Sequence, residues 1–213
     1  MIVVLTGAPG AGKGTQAELL AQREGFRKVS TGDALRKHVK LGTEIGKVAG
    51  AIMERGELVS DEVLFRVLKE ELVSSGLQDV ILLDGYPRNI GQAKTLESLQ
   101  DIQPVKAVVQ LEVPRAELIA RLSGRRVCNS CAATYHQEEN PPSKEGVCDK
   151  CGGVVSQRAD DRPDVVAVRL DVYLRSTAPV VEFYREKGVL RDVSGVGQLE
   201  SIYKNLREVI GAL

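Results

Sequence analysis

The chain has 213 residues, enough for one α/β core with a small insertion and too few for two full-sized domains. Lys plus Arg equals Asp plus Glu at 29 each, so the net charge is zero, which argues against a nucleic-acid backbone or an anionic membrane as the main partner. No apolar run approaches the roughly 18 residues that span a bilayer, and no signal peptide precedes the first apolar run, so the chain reads as cytoplasmic.

Trp is absent, so the core must be built mostly from Val, Leu, Ile and Ala. Ile2 to Leu5 is a short buried strand that ends in Thr6-Gly7. Residues 13 to 24 carry Ala17, Leu20 and Ala21 on one helical face, with Gly25 as a stop. Val29 ends a second short strand. From Asp33 the pattern is helical, and Ile45, Val48, Ala49, Ile52 and Met53 recur at helical spacing until Gly56. Ser60 can cap a helix bearing Val63, Leu64, Val67, Leu68 and Leu72, which stops near Gly76.

Val80 to Leu83 is a continuous apolar run before Asp84, as in a strand buried on both faces. Ile90, Ala93 and Leu96 indicate another helix. Val105 to Val113 is a strand, and Pro114 opens the next helix. From 126 to 160 the helical period is lost among cysteines, glycines and a Pro-Pro pair. It returns after Pro163 with Val166, Leu170, Tyr173 and Leu174. Val189 to Val193 is a last strand, and Leu199, Ile202, Tyr203, Leu206, Val209 and Ile210 form a terminal amphipathic helix. Strands separated by helices predict an α/β fold with a parallel sheet covered on both faces.

Gly7-Ala8-Pro9-Gly10-Ala11-Gly12-Lys13-Gly14-Thr15 lies between the first strand and the first helix, where a P-loop must lie. Its glycines let backbone N–H groups turn onto phosphate oxygens, and the helix N-terminus adds positive potential. Lys13 can follow charge on a transferring phosphate. The strict motif ends Gly-Lys-Ser/Thr. Here Gly14 intervenes before Thr15, which argues against direct coordination of magnesium by Thr15. Asp84, after a buried strand, faces magnesium directly or through water, or else caps the turn at Gly85.

Cys128-x-x-Cys131 and Cys148-x-x-Cys151 are separated by 16 residues. Two such pairs complete a tetrahedral thiolate site, which is closed and therefore structural. Zinc is the expected metal, with iron as the alternative for four thiolates, and disulfides or free thiols as the metal-free readings. His38 and His136 read as solvated or locally hydrogen-bonded rather than as ligands.

Arg36, Arg88, Arg121, Arg125, Arg158 and Arg169 are scattered along the chain, and each alone reads as a surface arginine. Together with the P-loop they form an ordered series: Ser30-Thr31-Gly32-Asp33-x-x-Arg36, Asp84-Gly85-Tyr86-Pro87-Arg88 with Gln92, Gly124-Arg125-Arg126, Arg158-x-Asp160-Asp161, then Arg169. In order and spacing this series resembles the adenylate kinase family over nearly the whole chain. The cysteine-bearing insertion resembles the long zinc lid of many bacterial members.

The resemblance implies a five-stranded P-loop core (1–29, 60–123 and 162–213), an AMP-binding segment (30–59) and a lid (124–161). It implies that Gly10, Ala11, Gly12, Lys13, Gly14 and Thr15 hold ATP phosphates. Arg121 would lie against the ATP adenine, with Thr134, Tyr135 and the backbone of Gly197 also touching ATP. AMP would be held by Thr31, Arg36, Glu57, Leu58, Val59, Gly85, Arg88 and Gln92, with Arg158 and Arg169. Lys13, Arg88, Arg125, Arg158, Arg169 and Asp84 would carry catalysis, with Mg2+ on ATP and structural Zn2+ in the lid. The expected reaction is reversible conversion of ATP and AMP into two ADP, by a monomer.

Three positions depart from the family pattern. Tyr86 replaces a common Phe, Ser194 a common Asp, and Ala132 a common Gly, so the turn after Cys131 is strained if it needs a positive φ. Two enzymatic or binding rivals stand beside the main reading: a kinase for another nucleoside monophosphate, and a non-catalytic nucleotide sensor. A third is a nucleic-acid-binding ATPase that reads through the cysteine knuckle. It predicts a basic stripe with stacking aromatics, whereas 126 to 160 mixes both charges around the single aromatic Tyr135.

Overall fold

The computed structural model describes residues 1–73, 80–98 and 104–212. The expected helix stop near Gly76 lies outside them. Five strands, β1 (Ile2–Thr6), β2 (Arg27–Ser30), β3 (Ile81–Asp84), β4 (Val105–Glu112) and β8 (Leu190–Ser194), make one sheet in the order β2-β3-β1-β4-β8. All four pairings are parallel. The fold is the P-loop α/β architecture that the motifs predict.

The continuous apolar runs follow from burial of both faces. Ile2, Val4, Ile81, Leu83 and Val108 point into one core, with side chains of α4 (Asp61–Val73), α5 (Ile90–Glu97) and α8 (Ala178–Glu186). Val3, Leu5, Leu82, Val109 and Leu111 point into the other, with α1 (Lys13–Glu24), α6 (Arg115–Gly124), α7 (Pro163–Val172) and α9 (Leu199–Gly211). Successive strand residues alternate between the two, as the pleat requires. The remaining helices, α2 (Thr31–Lys40) and α3 (Glu44–Glu54), follow β2.

Between α6 and α7 lies a second sheet, antiparallel, in the order β6-β5-β7, from β5 (Arg125–Cys128), β6 (Thr134–His136) and β7 (Val155–Ser156). Its buried cluster is Cys128, Tyr135, Cys148 and Val155. Among the described residues no helix is long and apolar enough to cross a membrane.

Two details differ from the periodicity. The helix begun at Pro163 does not stop after Leu174; it widens into a π-helical turn (Tyr173–Thr177) and continues as α8. Pro179 sits in the first turn of α8, where its ring would clash with the carbonyl four residues back in a regular helix. The wider turn, with the Ala178 N–H bonding Tyr173 O, accommodates it. The extra residue rotates the helical face, and Leu174 is left 56% exposed. Val48, expected on the apolar face of α3, is 58% exposed.

Candidate active site

Parallel pairing brings the C-terminal ends of the strands to one edge, with Leu5 opposite Asp84 and Asp84 opposite Ser30. Ligand sites of open α/β sheets form outside such edges. Here a cleft of about 1160 Å³ opens there, walled by the glycine loop, the β3–α5 turn, α2 and the second sheet.

The glycine loop ends on Gly12, which caps α1 at φ 91 and without a side-chain bond. A left-handed cap of this kind suits glycine. The first turn of α1 carries no acidic residue, so its N–H groups and helix dipole are open to an anion. Lys13 Nζ donates to Gly7 O (2.7 Å) and Ala8 O (2.9 Å). Burial pushes this ammonium down to about 8; Asp84 opposes that shift, and Arg88, Arg169 and Arg125 add to it. The departure from the strict motif also has a geometric basis. A Cβ on Gly14 would lie 3.3 Å from Asp84 Oδ2, so a larger side chain there would crowd the carboxylate. Thr15 is exposed but lines the cleft.

Facing the loop, Gly85 O accepts from Thr31 Oγ1 (2.9 Å) and from Arg88 Nε (2.8 Å). Gly85 has φ 83, and a Cβ there would lie 3.0 Å from Arg88 Nη2. Burial pushes the Arg88 guanidinium down, with Asp84 opposing it. Arg36 pairs with Asp33 at 2.5 Å, and Lys28 with the same carboxylate at 3.2 Å. Despite its partial burial, Asp33 is held well below the usual carboxylate range by Arg36 and Lys28.

Arg36, Glu57, Leu58, Gly85 and Arg88 line the cleft, whereas Thr31, Val59 and Gln92 are buried behind that wall. Gln92 is already engaged: Oε1 accepts from Arg88 N (2.7 Å) and Nε2 donates to Asp61 Oδ1 (2.8 Å).

On the opposite side stand Arg125, Arg158 and Arg169, all lining the cleft. Burial pushes Arg158 down to about 9, with repulsion from Arg36 and Arg125 adding to it. Its Nε is buried without a hydrogen-bond partner among the described residues. A cationic donor with no protein partner, beside other cations, is chemically suited to an anion.

At the far end, Arg121 Nη2 donates to Gly195 O (2.9 Å) and to Glu117, and Gly197 lies in the wall beside it. Thr134 and Tyr135 also line the cleft, but the Tyr135 phenol turns into the second sheet. There it meets Cys148 Sγ at 3.3 Å and accepts from Asp149 N at 2.8 Å.

The four cysteine sulfurs lie within 4.8 Å of one another, and none is in a disulfide. Their protonation conflicts. The Tyr135 hydroxyl pulls Cys148 down to about 6. A backbone N–H at Gly153 favours the Cys151 thiolate, yet the sulfurs of Cys131 and Cys128 push that thiol up to about 12. A divalent cation at the centre would let all four ionise, so the donor set fits zinc. Ala132 takes φ 61, the left-handed turn anticipated after the second cysteine. His136 stands apart from the sulfurs: Nδ1 accepts from Glu138 N and Glu139 N, and its ring fills the space a Cβ on Gly124 would need.

The residue reading gave no role to Asp33, Lys28 or Asp161, each of which braces a cleft arginine or shares its carboxylate. Acidic residues interspersed among motif arginines were the available signal.

The family model described as adenylate kinase matches residues 5–189. The chain belongs to the adenylate kinase family. It is 45% identical to the adenylate kinase of Geobacillus sp., with 100% of both chains covered. With that of Caldicellulosiruptor saccharolyticus it shares 47% identity, covering 100% of this chain and 99% of the relative. A third relative, the adenylate kinase of Methanosarcina acetivorans, is 45% identical over 99% of this chain and 98% of its own. Family membership therefore extends over the glycine loop, the arginines and the cysteine-bearing sheet alike.

Proposed function

We propose that the chain catalyses reversible, direct transfer of the γ-phosphoryl group of ATP to AMP, giving two ADP. The observation that carries this reading is the ring of half-buried cations. Lys13, Arg88, Arg125, Arg158 and Arg169 reach one cleft from five separate places along the chain, with an open helix N-terminus at its floor.

Phosphoryl transfer needs positioning and charge neutralisation more than acid–base chemistry. Gly10 to Thr15 hold the ATP phosphates, with Arg121, Thr134, Tyr135 and Gly197 along the nucleoside. Arg36 and Arg88 grip the AMP phosphate, whose oxygen attacks the γ-phosphorus as the bond to the β–γ bridging oxygen breaks. Lys13, Arg125, Arg158 and Arg169 neutralise charge on the moving group. Thr31, Glu57, Leu58, Val59, Gly85 and Gln92 shape the AMP side; a second Nε2 proton is what Gln92 could offer an adenine ring. Magnesium, held through Asp84, would supply charge neutralisation on ATP. Zinc, held by Cys128, Cys131, Cys148 and Cys151, would supply only structure.

Segments 30–59 and 124–161 are read as parts that close over the substrates and exclude water, since an open site would hydrolyse ATP. Lys40 Nζ donates to Asn129 O at 3.1 Å, a contact between these two segments that supports this reading. The chain is further read as a cytoplasmic monomer.

The test is ADP formation from ATP and magnesium with AMP, GMP, UMP or CMP, on zinc-loaded protein. Turnover with AMP alone is expected. Turnover with a different monophosphate would overturn the base assignment, and none with any would overturn the reaction. Arg88→Ala should lower turnover by roughly 100-fold or more, the scale of losing one preorganised donor; a rate near that of the parent would remove Arg88 from the mechanism.

A further inference from the structure

Tyr135 is the single aromatic residue of the cysteine-bearing segment, and it is 8% exposed. Its strand, β6, pairs with β5 and stands in the cleft wall with Thr134 and His136. The phenol packs with Cys128, Cys148 and Val155, against Ala133. A Phe ring would fill that apolar space as well, so it is the hydroxyl that calls for an account.

The hydroxyl accepts from Asp149 N at 2.8 Å and meets Cys148 Sγ at 3.3 Å. Asp149 opens the turn from Cys148 to Cys151, which is closed by Gly152 N on Cys148 O (2.8 Å) and by Cys148 N on Gly153 O (2.8 Å). A side chain carried by the strand after the first cysteine pair thus reaches into the turn of the second. The two buried sulfurs are the ones with such neighbours. Cys128 Sγ accepts from Ser130 N at 3.4 Å, and Cys148 Sγ has the phenol. Cys131 and Cys151 are exposed, so water can serve their sulfurs. An anionic sulfur buried without a donor would be costly.

A thiolate that binds a metal carries no proton, so the phenol can only donate to it. The direction of the chain is then fixed: Asp149 N–H to Tyr135 Oη, and Oη–H to Cys148 Sγ. We infer that Tyr135 supports the metal site from outside its four ligands, holding the Cys148 thiolate in place and setting how tightly the sulfurs take zinc. This rests on the zinc reading above. The residue then has two faces: its backbone belongs to the cleft wall and its side chain serves the metal.

The test compares full-length wild type, Tyr135→Phe and Val155→Ala. Zinc affinity is read by competition with a chromophoric chelator, and the sulfur-to-metal charge-transfer band is read on the cobalt-loaded proteins. Tyr135→Phe is expected to weaken zinc affinity by roughly 10- to 100-fold, the scale for losing a group that orients a ligand. It should also move the band to longer wavelength, because a sulfur that loses a hydrogen bond gives up its electrons more easily. Val155→Ala removes packing from the same cluster and leaves the donor to Cys148, so it should weaken affinity with the band in place. Zinc affinity near that of wild type, an unmoved band, or an equal band shift in Val155→Ala overturns the proposal. If Tyr135→Phe does not fold, the wild type decides. Proton NMR of the zinc-loaded protein should show the Tyr135 hydroxyl in slow exchange, and rapid exchange with solvent overturns the proposal. A wild type that takes up no zinc would sink the metal reading and this role with it, whereas a wild type that binds zinc no better than Tyr135→Phe would sink only the role of the phenol.

Discussion

The two sheets of this molecule are stabilised by different means. The parallel sheet is packed on both faces, with Val3, Leu82, Val108 and Val109 at 0% exposure between layers of helices. The antiparallel sheet has a buried cluster of Cys128, Tyr135, Cys148 and Val155, two of them thiols, with Ala133 packed against it. A cluster of that size cannot offset the entropy of ordering some 30 residues. The core is therefore held by hydrophobic burial, whereas the insertion offers four converging sulfurs, a donor set for a metal, in place of a larger apolar core.

The strongest way to break this comparison is to remove the metal. Stripping zinc should melt β5 to β7 and abolish phosphoryl transfer, since structural zinc contributes on the order of 10 kcal/mol to small domains. Amide exchange would show 125–156 unprotected while β1 and β4 stay protected. Protection of 125–156 after verified metal loss would mean that the insertion holds itself. The reciprocal experiment is Leu82→Ala, which should cost about 2–5 kcal/mol of global stability and leave zinc content intact. A cost under about 1 kcal/mol would contradict a close-packed core at that position.

A finer test lies at the junction of the two regions. The folded Lys13 loses its proton near a pH of about 8, below its ordinary value of 10.5. Between those values the unfolded chain holds a proton that the folded chain lacks, so this group's contribution to stability rises with pH across that window. Below it, the buried charge is destabilising in full. Polyphosphate bound against Lys13 would restore the charge, so titration with ATP near pH 9, where the free folded group is mostly deprotonated, should take up close to one proton, read from calorimetry in buffers of different ionisation heat. Binding with no uptake would place Lys13 outside the phosphate contact. The smallest effect is expected from Ala132→Gly. Relief of a left-handed alanine, less the added freedom of the unfolded chain, should stabilise the zinc-loaded lid by about 1 kcal/mol or less. A lowered lid transition would show that the turn is unstrained.

Much of the fold was legible because its signals are local. The apolar runs at 2–5 and 81–83 are strands since both faces are covered, and the glycine loop between β1 and α1 is recognisable from its own nine residues. The paired C-x-x-C motifs announced a four-thiolate site, and the sulfurs do converge. The π-helical turn before Pro179 was hidden, because a periodicity of 3.6 assumes one helical geometry throughout.

Length, alternation of strands and helices, the glycine loop between β1 and α1 and the paired cysteines were determined by the sequence by itself, since each depends on neighbours along the chain or on the chemistry of one side chain. The tertiary structure alone decided the strand order β2-β3-β1-β4-β8, the turning of the Tyr135 phenol toward Cys148, and the burial of Gln92 against Asp61. It also decided that Asp161 meets Arg125, 36 positions away, rather than water. Those outcomes depend on which groups the folded chain brings together through space, and a buried charge or amide takes its partner from whatever the packing places within reach.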